Sequence, residues 1–315
     1  MYTQHMTHIV QSPEWGEFKT KYGTKTVRVG NIQYTVHKMP FTDNYYAYCP
    51  KVDPFEINWN QLEESLKQNN CFVINFDIPN VIAGTEESKR AEEILKQKGE
   101  PSPKDTFAKH NLLLDLTKPE EEIFAKFHTK NRYNIRYAQK SGVKVRQGTS
   151  DKDFEVFYEL LKDTSIRQKY YIHPKEYYEL IWKLLQPKGI AHILLAGFNN
   201  EVLASWMLFT YENVLYYPYG GSAAKLQNLF PSNLIGWEAI RFGKHKECHT
   251  FDMWGAAEDL QNKEDPWYGF TSFKIKFGAK HVQYIDSYDF ILNKTIHILF
   301  NTANDLRWKI LKVLK

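Results

Sequence analysis

Strand and helix patterns follow one another in the same order twice along this chain of 315 residues. Period-two alternation and short apolar runs predict the strands, and amphipathic stretches with helical spacing predict the helices. The first half contains, in order, helix 13–22, strands 26–29, 32–38 and 45–48, helix 60–68, strand 71–78, helix 86–98, strand 111–116, helices 120–127 and 130–140, and strand 143–146. The second half contains helices 152–161 and 174–184, strands 191–198, 202–211 and 214–220, helix 231–245 and strand 250–254. Strands and helices mixed in this way predict an α+β fold with partly antiparallel sheets.

The chain is longer than one average hydrophobic core requires, so we expect two mid-sized domains. The turn Gln147-Gly148-Thr149 follows the last strand of the first half and marks the expected joint. We therefore predict a first domain over residues 1–146 and a second domain over residues 147–287.

Charge and cysteine content exclude several classes of protein. The net charge is +4, with 41 basic and 37 acidic residues, which is too small to identify a nucleic-acid-binding protein. Cys49, Cys71 and Cys248 are widely spaced, which fits a reducing compartment and predicts neither a disulfide framework nor a metal site. The longest apolar stretch, 202–209, is shorter than the ~20 residues that cross a bilayer, and the N-terminus has no signal-peptide core. We expect a cytoplasmic protein.

The segment TKNRYNIRYAQKSGV is the first candidate functional element. On the predicted helix, Arg132, Arg136 and Lys140 are spaced i, i+4 and i+8, so the three cations share one stripe. Such a stripe suits a phosphodiester backbone. A solvated helix face without function explains the same pattern.

The segment VLYYPYGGSAAKLQNLFPSN is the second candidate. Two glycines after a strand allow close approach of the backbone to a ligand, and alternation predicts that Tyr217 and Tyr219 project to the same side. The alternative is a turn followed by core tyrosines.

The segment YGFTSFKIKFGAK is the third candidate. Lys274 and Lys276 alternate with Phe273, Ile275 and Phe277, which predicts a strand with both lysines on one face. An ammonium held rigidly in a partly dry cleft stabilises a developing oxyanion. Lysines that protect an edge strand from aggregation produce the same alternation.

Together these segments resemble the Fem family (FemABX type) of non-ribosomal peptidyltransferases, which build peptidoglycan interpeptide bridges. The resemblance covers nearly the whole chain. The residues that carry it are Gln11-Ser12, Trp15, Lys19, the aromatic strand 45–50, Asn75 to Pro79, Lys130, Arg132, Ile135, Arg136, Ala138, Lys140, Gly142, Val143, Thr164, Arg167, His173, Pro174, Tyr178, the turn 219–222 and the segment 273–278. Around Asp77 the sequence departs from the family pattern, because a basic residue is lost and one residue is inserted before Pro79.

The resemblance implies two tandem acetyltransferase-like (GNAT-like) domains with mixed β-sheets flanked by helices, in the compact form without a helical arm. It also implies that the final strand and helix, residues 288–315, return to complete the first domain. Acetyltransferases carry a glycine-containing loop that binds the pyrophosphate of CoA. The corresponding region here, 225–233, contains no glycine, which argues against acetyl-CoA as donor, and no cofactor is expected.

The reaction implied is aminolysis of an ester, in which a stem-peptide amine attacks the carbonyl of an amino acid esterified to tRNA. By resemblance, Lys274 stabilises the oxyanion and Phe273 shapes its pocket. Asp77 matches the family's carboxylate near the acceptor amine, where it orients or deprotonates that amine; proton relay by the substrate itself is the alternative. The cationic form of Lys274 must persist, so an acidic or phosphate neighbour is expected.

The resemblance also implies the binding residues. Lys19 and Arg167 match positions that bind the acceptor's diphosphate, which suits the planar fork of arginine. The other implied acceptor contacts are Tyr217, Tyr219 and Ser222. The residues expected to contact the tRNA backbone are Arg132, Arg136, Lys140 and Lys276.

The expected partners are aminoacyl-tRNA and a peptidoglycan precursor, either UDP-MurNAc-pentapeptide or lipid II, and the protein is expected to be a monomer. The C-terminal LRWKILKVLK has a basic and an apolar side, so it either touches the inner membrane surface or packs on the first domain. Two other functions remain open. One is an N-acyltransferase that uses an acyl-CoA donor on the same fold, and the other is a non-catalytic RNA- or glycan-binding relative.

Overall fold

The computed structural model describes residues 7–313, with the side chains of residues 7–304. The chain forms two compact units. The first unit consists of Val10–Lys109 together with the chain from Tyr284 onwards. The second unit consists of His110–Gln283 together with the described residues before Val10.

Helices and strands are numbered here in chain order. The α-helices of the described residues are α1 (Pro13–Lys21), α2 (Trp59–Gln68), α3 (Glu86–Lys98), α4 (Glu120–Ala125), α5 (Thr129–Lys140), α6 (Asp151–Gln168), α7 (Lys175–Leu185), α8 (Pro231–His245), α9 (Tyr268–Lys274) and α10 (Lys294–Val313). The strands are β1 (Lys25–Val29), β2 (Ile32–Lys38), β3 (Tyr45–Pro50), β4 (Cys71–Asp77), β5 (Glu100–Pro101), β6 (His110–Asp115), β7 (Lys144–Gly148), β8 (Ala191–Phe198), β9 (Glu201–Tyr211), β10 (Val214–Ser222), β11 (Thr250–Gly255), β12 (Lys280–Gln283) and β13 (Tyr288–Ile291).

The first unit contains a six-stranded sheet with the order β1-β2-β3-β4-β13-β5. Neighbouring strands are antiparallel except β3 and β4, which are parallel. Strand β13 comes from the C-terminal part of the chain and pairs with β4, with Tyr288 opposite Phe76. Both rings are buried in one core with Tyr34 and Leu62, so the late segment completes an early core.

The second unit contains a seven-stranded sheet with the order β12-β6-β11-β10-β9-β8-β7. Here too one pair, β10 and β11, is parallel, and the other pairs are antiparallel. Helices α5 and α8 cover one face, where Ile135 and Ile240 share a core with Trp206. Helix α6 packs on the other face, where Gly221 lies against the backbone of Leu160.

Both units use the same connection to form their parallel pair. In the first unit the chain passes from β3 through α2 to β4, and in the second it passes from β10 through α8 to β11. Parallel strands require such a crossover, whereas antiparallel strands that are consecutive in the chain, such as β8 and β9, are joined by a short turn. The repeated order of patterns in the sequence therefore corresponds to a repeated plan in the structure.

Local sequence determines where the principal helices begin and end. Helix α6 begins with a capping box in which Ser150 and Asp153 each accept a hydrogen bond from the backbone of the other. Helix α5 ends at Lys140, and Gly142 follows with a φ of 89°, a conformation that favours glycine. The amide of Val143 then donates to the carbonyl of Ala138 at 3.0 Å, which closes the last turn.

The division into units differs from the boundary predicted after residue 146. The compact units separate between Lys109 and His110, so β6, α4 and α5 belong to the second unit. Strand β7, at the predicted joint, pairs with β8 inside that unit. A turn signal such as Gln147-Gly148-Thr149 shows that the chain reverses, but it does not show which sheet the strand before it joins. The chain crosses back between Gln283 and Tyr284, near the position 288 predicted for the returning segment.

The predicted α+β class, with mixed sheets flanked by helices, is confirmed, and the two sheets fit the expected tandem arrangement. Among the described residues, no helix combines the length and apolar character that crossing a bilayer requires. The amphipathic character predicted for LRWKILKVLK concerns side chains beyond residue 304, which lie outside the described side chains.

Candidate active site

Lys274 lies at the end of helix α9, so the prediction of a strand here is wrong. Helix α9 continues into the 3₁₀ helix Ile275–Phe277, which ends at Gly278. A run of five residues is too short for its alternation to distinguish a strand from a helix. The two lysines consequently do not share one strand face. Lys274 is buried, with 7% of its surface exposed, whereas Lys276 is half-buried.

The ammonium of Lys274 is surrounded by a carbonyl group and two aromatic rings. Its Nζ donates a hydrogen bond to the carbonyl oxygen of Gly255 at 3.1 Å. The ring centroids of Phe270 and Tyr217 lie 4.9 and 5.5 Å from the same nitrogen. Burial lowers the pKa of Lys274 to about 7, and the carboxylate of Asp252 opposes this effect. Asp252 is thus an acidic neighbour of the kind expected from the sequence.

Asp252 is itself held in place by its surroundings. The side-chain Nδ2 of Asn111 donates to both carboxylate oxygens of Asp252, at 2.9 and 3.0 Å. The backbone N–H of Trp254 donates to one of these oxygens at 2.7 Å. Between Asp252 and Gly255 the pairing of β11 with β6 shifts register, and Trp254 has a φ of 66°. This irregular segment presents the Gly255 carbonyl to Lys274.

Phe273 packs behind the lysine. Its ring contacts Phe277 and Trp206 edge-on, with centroids 5.4 and 6.4 Å apart, and Trp206 stacks on Tyr217 at 3.7 Å. Tyr217, Phe273 and Lys274 are thereby brought together in the second unit. Phe273 is therefore part of the aromatic packing next to Lys274.

Tyr217 and Tyr219 project to opposite faces of the sheet, so the prediction that they share a side is wrong. Tyr219 pairs with Met207, whereas Tyr217 stacks on Trp206, which is the residue before Met207 and therefore points the other way. The cause is a bulge in β10, where one extra residue lies between the pairs formed by Tyr216 and Tyr219. Tyr219 contacts Tyr178 instead, with ring centroids 5.0 Å apart.

The two glycines of this segment lie within β10 and make room for the protein's own atoms. A Cβ on Gly221 would lie 2.3 Å from the carbonyl carbon of Leu160, so this glycine allows α6 to approach the sheet. A Cβ on Gly220 would lie 2.2 Å from the hydroxyl of Tyr217. Close packing inside the unit therefore accounts for both glycines, without a ligand.

Arg167 of helix α6 is hydrogen-bonded to Ser222 at the end of strand β10. The Nη2 of Arg167 donates to the carbonyl oxygen of Ser222 at 2.8 Å and to its hydroxyl at 3.3 Å. Thr164 supports the pair, because its hydroxyl donates to the Ser222 carbonyl at 3.1 Å and accepts from the Ser222 amide at 2.9 Å. The guanidinium is half-buried and is held at one nitrogen, which leaves its other edge for an anion.

Three neighbours of these residues were not identified from the sequence. Phe270 lies four residues before Lys274, and a helix prediction for this segment would have placed it on the same face. Burial raises the pKa of Tyr170 and the charge of Arg167 opposes this, while Tyr170 in turn helps to raise the pKa of Tyr217. Asp252 carries no sequence signal, because it is far along the chain from every motif.

The predicted basic stripe forms as expected on α5, but its three cations have different environments. Arg132 donates to the carbonyl oxygens of Ala125 and Phe127 at 2.7 and 2.6 Å, which caps the end of α4. Arg136 is exposed and lies over the ring of Phe124 at 5.3 Å. Lys140 is exposed. Arg136 and Lys140 are therefore the members of the stripe that face solvent.

The segment before α8 lies within residues 225–233, which the sequence resemblance compares with the CoA-binding loop of acetyltransferases. It forms the 3₁₀ helix Gln227–Leu229, flanked by Leu226 and Phe230 with φ values of 53° and 51°. The amides of Leu229 and Phe230 donate to carbonyls of the segment itself, both at 3.0 Å. Amides used in this way are not available to a pyrophosphate. In the part of the chain that the structure describes, no three His, Cys, Asp or Glu side chains are grouped to hold a metal ion.

Lys19 and Asp77 belong to the first unit, whereas the other predicted site residues belong to the second. Lys19 is half-buried on α1, and burial lowers its pKa. The charge of Lys19 adds to burial in lowering the pKa of His37. Lys19 therefore lies close enough to His37 for its charge to disfavour protonation of that ring.

Asp77 is completely buried at the end of β4 and accepts hydrogen bonds from several donors. One carboxylate oxygen accepts from the hydroxyl of Tyr48 at 2.5 Å and from the amide of Phe107 at 2.7 Å. The other accepts from the amide of Thr106 at 3.0 Å and lies 3.1 Å from the hydroxyl of Ser287. The carboxylate thereby links β3, the segment around Thr106, and the returning chain at Ser287.

Several proteins of known name are similar to this chain over most of its length. The lipid II:glycine glycyltransferase of Staphylococcus haemolyticus (strain JCSC1435) is 22% identical, over 92% of this chain and 90% of the relative. The protein of the same name from Staphylococcus aureus is also 22% identical, over the same shares.

Solved structures share the fold. The crystal structure of FemX superposes with a TM-score of 0.83 at 17% identity, covering 93% of this chain and 94% of that one. The structure of L-PGS from Bacillus licheniformis gives a TM-score of 0.57 at 11% identity, covering 94% and 97%.

The FemAB family model matches residues 102–201 and 196–305, which together make up more than half of the chain. The resemblance to the Fem family seen in the sequence motifs is therefore confirmed, and the chain belongs to the FemAB family.

Proposed function

We propose that this FemAB-family aminoacyltransferase moves an amino acid from aminoacyl-tRNA to the stem-peptide amine of a peptidoglycan precursor during interpeptide bridge formation. The observation that carries the proposal is the buried ammonium of Lys274, held by the Gly255 carbonyl and accompanied by the carboxylate of Asp252. The glycyltransferase names of the relatives support the reaction class.

In the reaction, the amine nitrogen bonds to the ester carbonyl carbon and the bond from that carbon to the ribose oxygen breaks. Negative charge develops on the carbonyl oxygen in between, and the amine loses a proton while the ribose hydroxyl gains one. A cation in a dry site stabilises the developing oxyanion more strongly than it would in water. This is the role of Lys274, and Phe273 supports it by shaping the wall behind the lysine.

The acceptor is bound through its diphosphate and sugar. Arg167 is a diphosphate contact, as the family resemblance implies, and the same resemblance proposes Lys19 for this role. Ser222 orients Arg167 through its carbonyl and hydroxyl oxygens. Tyr217 and Tyr219 point to opposite faces of β10, so each contacts a different part of the acceptor if both take part.

The role of Asp77 is to hold Tyr48 and the segment around Thr106 in place near the acceptor amine. Its oxygens already accept from a hydroxyl and two amides, which favours a positioning role over that of a general base. The proton of the amine then leaves through the substrate itself or through solvent.

The donor tRNA is bound through its phosphates by Arg136, Lys140 and Lys276. Arg132 contributes less, because its guanidinium caps α4. Phosphate contacts of this kind make binding strongly dependent on salt.

The deciding experiment combines the purified protein with charged tRNA and a muramyl pentapeptide acceptor and follows the acceptor by mass spectrometry. A mass increase of one amino-acid residue supports the proposal, and its loss in Lys274→Met supports the role of the lysine. No increase with any aminoacyl-tRNA would contradict the proposal and favour a non-catalytic binding protein. Glycyl-tRNA with lipid II is the first pair to test, because the relatives carry that name, and UDP-MurNAc-pentapeptide is the comparison acceptor.

An N-acyltransferase that uses acyl-CoA is the alternative on this fold. The amides of the segment before α8 bond internally, which disfavours it. Calorimetry with acetyl-CoA separates the two functions, since micromolar binding would favour the alternative. We further propose that the protein is cytoplasmic and monomeric, and that residues 306–315 contact the inner membrane surface when the acceptor is lipid-linked.

A further inference from the structure

Helix α5 has two faces of opposite character. Its buried positions are Asn131, Asn134, Ile135 and Ala138. The opposite positions, Tyr133, Arg136, Tyr137 and Lys140, have the same spacing of i, i+3, i+4 and i+7 and are all exposed. We call these four residues the α5 outer face. Aromatic and cationic side chains thus alternate on one solvent-facing stripe.

The region around this face is the most basic part of the chain. Residues 123–150 contain seven lysines and arginines and no acidic residue, although the whole chain has a net charge of only +4. Three of the seven are engaged: Lys126 with Glu122, Arg146 with Asp153, and Arg132 with backbone carbonyls. The charges of Arg136 and Lys140 have no acidic partner among the described residues, so this surface is suited to a polyanion.

The two tyrosines are unusually exposed for their size. Tyr133 exposes 61% of its surface and Tyr137 39%. Their ring planes differ by 28° and their centroids are 6.1 Å apart, so the rings lie nearly parallel, one turn apart on the helix. Tyr137 also rests edge-on against Phe230, with centroids 5.8 Å apart, which fixes its orientation. Large exposed aromatic surfaces fixed in this way commonly mark binding sites.

We propose that the α5 outer face binds unpaired RNA bases, which stack on Tyr133 and Tyr137 while Arg136 and Lys140 bind the adjoining phosphates. Aromatic platforms combined with cations are the general means of binding single-stranded nucleic acid, because every base has a π face. An acidic protein partner would account for the two cations, but it would not account for the two exposed, nearly parallel tyrosine rings.

The location of α5 indicates which bases are bound. Its first turn is attached to the segment that follows Lys274, since the carbonyl of Lys276 accepts from the amide of His128 at 3.0 Å and from the Asn131 side chain at 3.2 Å. Tyr137 is six residues beyond Asn131, roughly 9 Å along the axis at 1.5 Å per residue. This inference rests on the proposed function, in which the ester at the end of the RNA lies at Lys274. The unpaired nucleotides next to that ester are then the ones that reach the tyrosines.

The test uses two fluorescent RNA hairpins and no amino acid. One hairpin ends in the unpaired 3′ sequence ACCA, and the other is identical but blunt. Binding is measured by fluorescence anisotropy at several salt concentrations. We expect the wild-type protein to bind the hairpin with the overhang more tightly than the blunt one.

The variants separate stacking from charge. Tyr133→Ala combined with Tyr137→Ala is expected to weaken binding of the overhang hairpin at least about tenfold and to abolish the preference over the blunt hairpin. The combined Tyr133→Phe and Tyr137→Phe variant retains the rings and is expected to bind like wild type. Lys140→Ala is expected to weaken binding of the overhang hairpin and to reduce its dependence on salt, because one phosphate contact is lost. Phe41→Ala, which removes a fully exposed ring of the first unit, is the matched control.

Equal binding of both hairpins by wild type, or an unchanged preference after loss of both tyrosine rings, would overturn the proposal. A melting curve for each variant excludes unfolding as the cause of weaker binding. Transfer activity is assayed separately, so the two ideas fail independently. Transfer by a protein without hairpin preference leaves the proposed function standing, whereas hairpin preference without any transfer leaves only the RNA site.

Discussion

The Nζ of Lys274 donates a hydrogen bond to the carbonyl oxygen of Gly255 at 3.1 Å, although the two residues lie in different elements, at the ends of α9 and β11. The preceding residue, Trp254, has a φ of 66°, and its amide donates to Asp252. Left-handed backbone at a residue other than glycine costs free energy and persists only where its surroundings enforce it. Asp252 and Asn111 supply that enforcement, so the same carboxylate orients the carbonyl and contributes its charge to the lysine.

The first prediction concerns pH and Asp252→Asn. Burial lowers the pKa of Lys274 to about 7 and Asp252 opposes this, so removal of the Asp252 charge lowers that pKa further. Lys274 stays charged below its pKa, and transfer that needs the charge declines as pH rises through it. The ratio of kcat/KM in Asp252→Asn to that in wild type should therefore fall with rising pH until about pH 7 and then become constant.

The acceptor amine titrates identically with both proteins, so its contribution cancels in this ratio. Asp43→Asn, an exposed carboxylate of the first unit, should give a ratio independent of pH. A constant ratio for Asp252→Asn as well would mean that Asp252 affects Lys274 only through structure.

The second prediction is that Lys274→Met abolishes transfer and stabilises the fold. The folded-state pKa of Lys274 is about 7, below the ordinary value of 10.5. Below pH 7 the protein therefore keeps a charge in a site that disfavours it, and methionine removes a cost on the order of a few kcal/mol. Between pH 7 and 10.5 the lysine is charged in the unfolded chain and neutral in the folded protein, so folding releases a proton. The free-energy cost of this release decreases as pH rises, so the stability difference between Lys274→Met and wild type becomes smaller.

Calorimetric melting of both proteins across this pH range checks the second prediction. The midpoint difference should be largest near neutral pH and decrease towards pH 10. Lys276→Met, at a half-buried position two residues away, serves as the comparison. A less stable Lys274→Met protein at pH 7 would contradict the burial argument, and full transfer activity would contradict the catalytic role.

The third prediction concerns Arg167. Arg167→Ala should raise KM for a diphosphate-containing acceptor roughly tenfold to a hundredfold with a smaller effect on kcat, because a charged hydrogen-bond donor is lost. Arg167→Lys should recover only part of the affinity, since lysine lacks the planar fork. Ser222→Ala should have little effect, because the shorter contact of Arg167 is to the Ser222 carbonyl. The same rise in KM with an acceptor lacking phosphates would exclude a diphosphate contact.

The fold was predicted well where regular periodicity determines it. The strands β8, β9 and β10 and the helices α5 and α8 lie where alternation and amphipathic spacing predicted them. The division into units was not predictable, since it depends on β6 pairing with β11 and β12, which are more than 100 residues away in the chain. Local patterns contain no information on such pairing.

The site was predictable only in part, for similar reasons. The family motifs named Lys274 as a candidate, but the short run of alternating residues around it predicted a strand where the structure has a helix. Tyr217 and Tyr219 were predicted on the same face of the sheet, but a bulge of one residue in β10 reverses the in–out alternation of side chains between them. No local sequence pattern predicts this bulge. Asp252 and Asn111 act on Lys274 through tertiary contacts alone, so only the structure identified them.

The last prediction distinguishes two roles for Asp77. Its carboxylate accepts from Tyr48 and from the amides of Thr106 and Phe107, and asparagine in its place turns an N–H group towards some of these donors. Asp77→Asn should therefore lower the free energy of unfolding by about 1–3 kcal/mol for each donor left unsatisfied, which also lowers the thermal midpoint. Hydrogen exchange at the amides of Thr106 and Phe107 should become faster. Tyr48→Phe removes one donor and leaves the carboxylate, so it should cost less and preserve transfer. If Asp77 is instead the general base, Asp77→Asn will lose kcat by a large factor while both amides exchange as slowly as in the wild type.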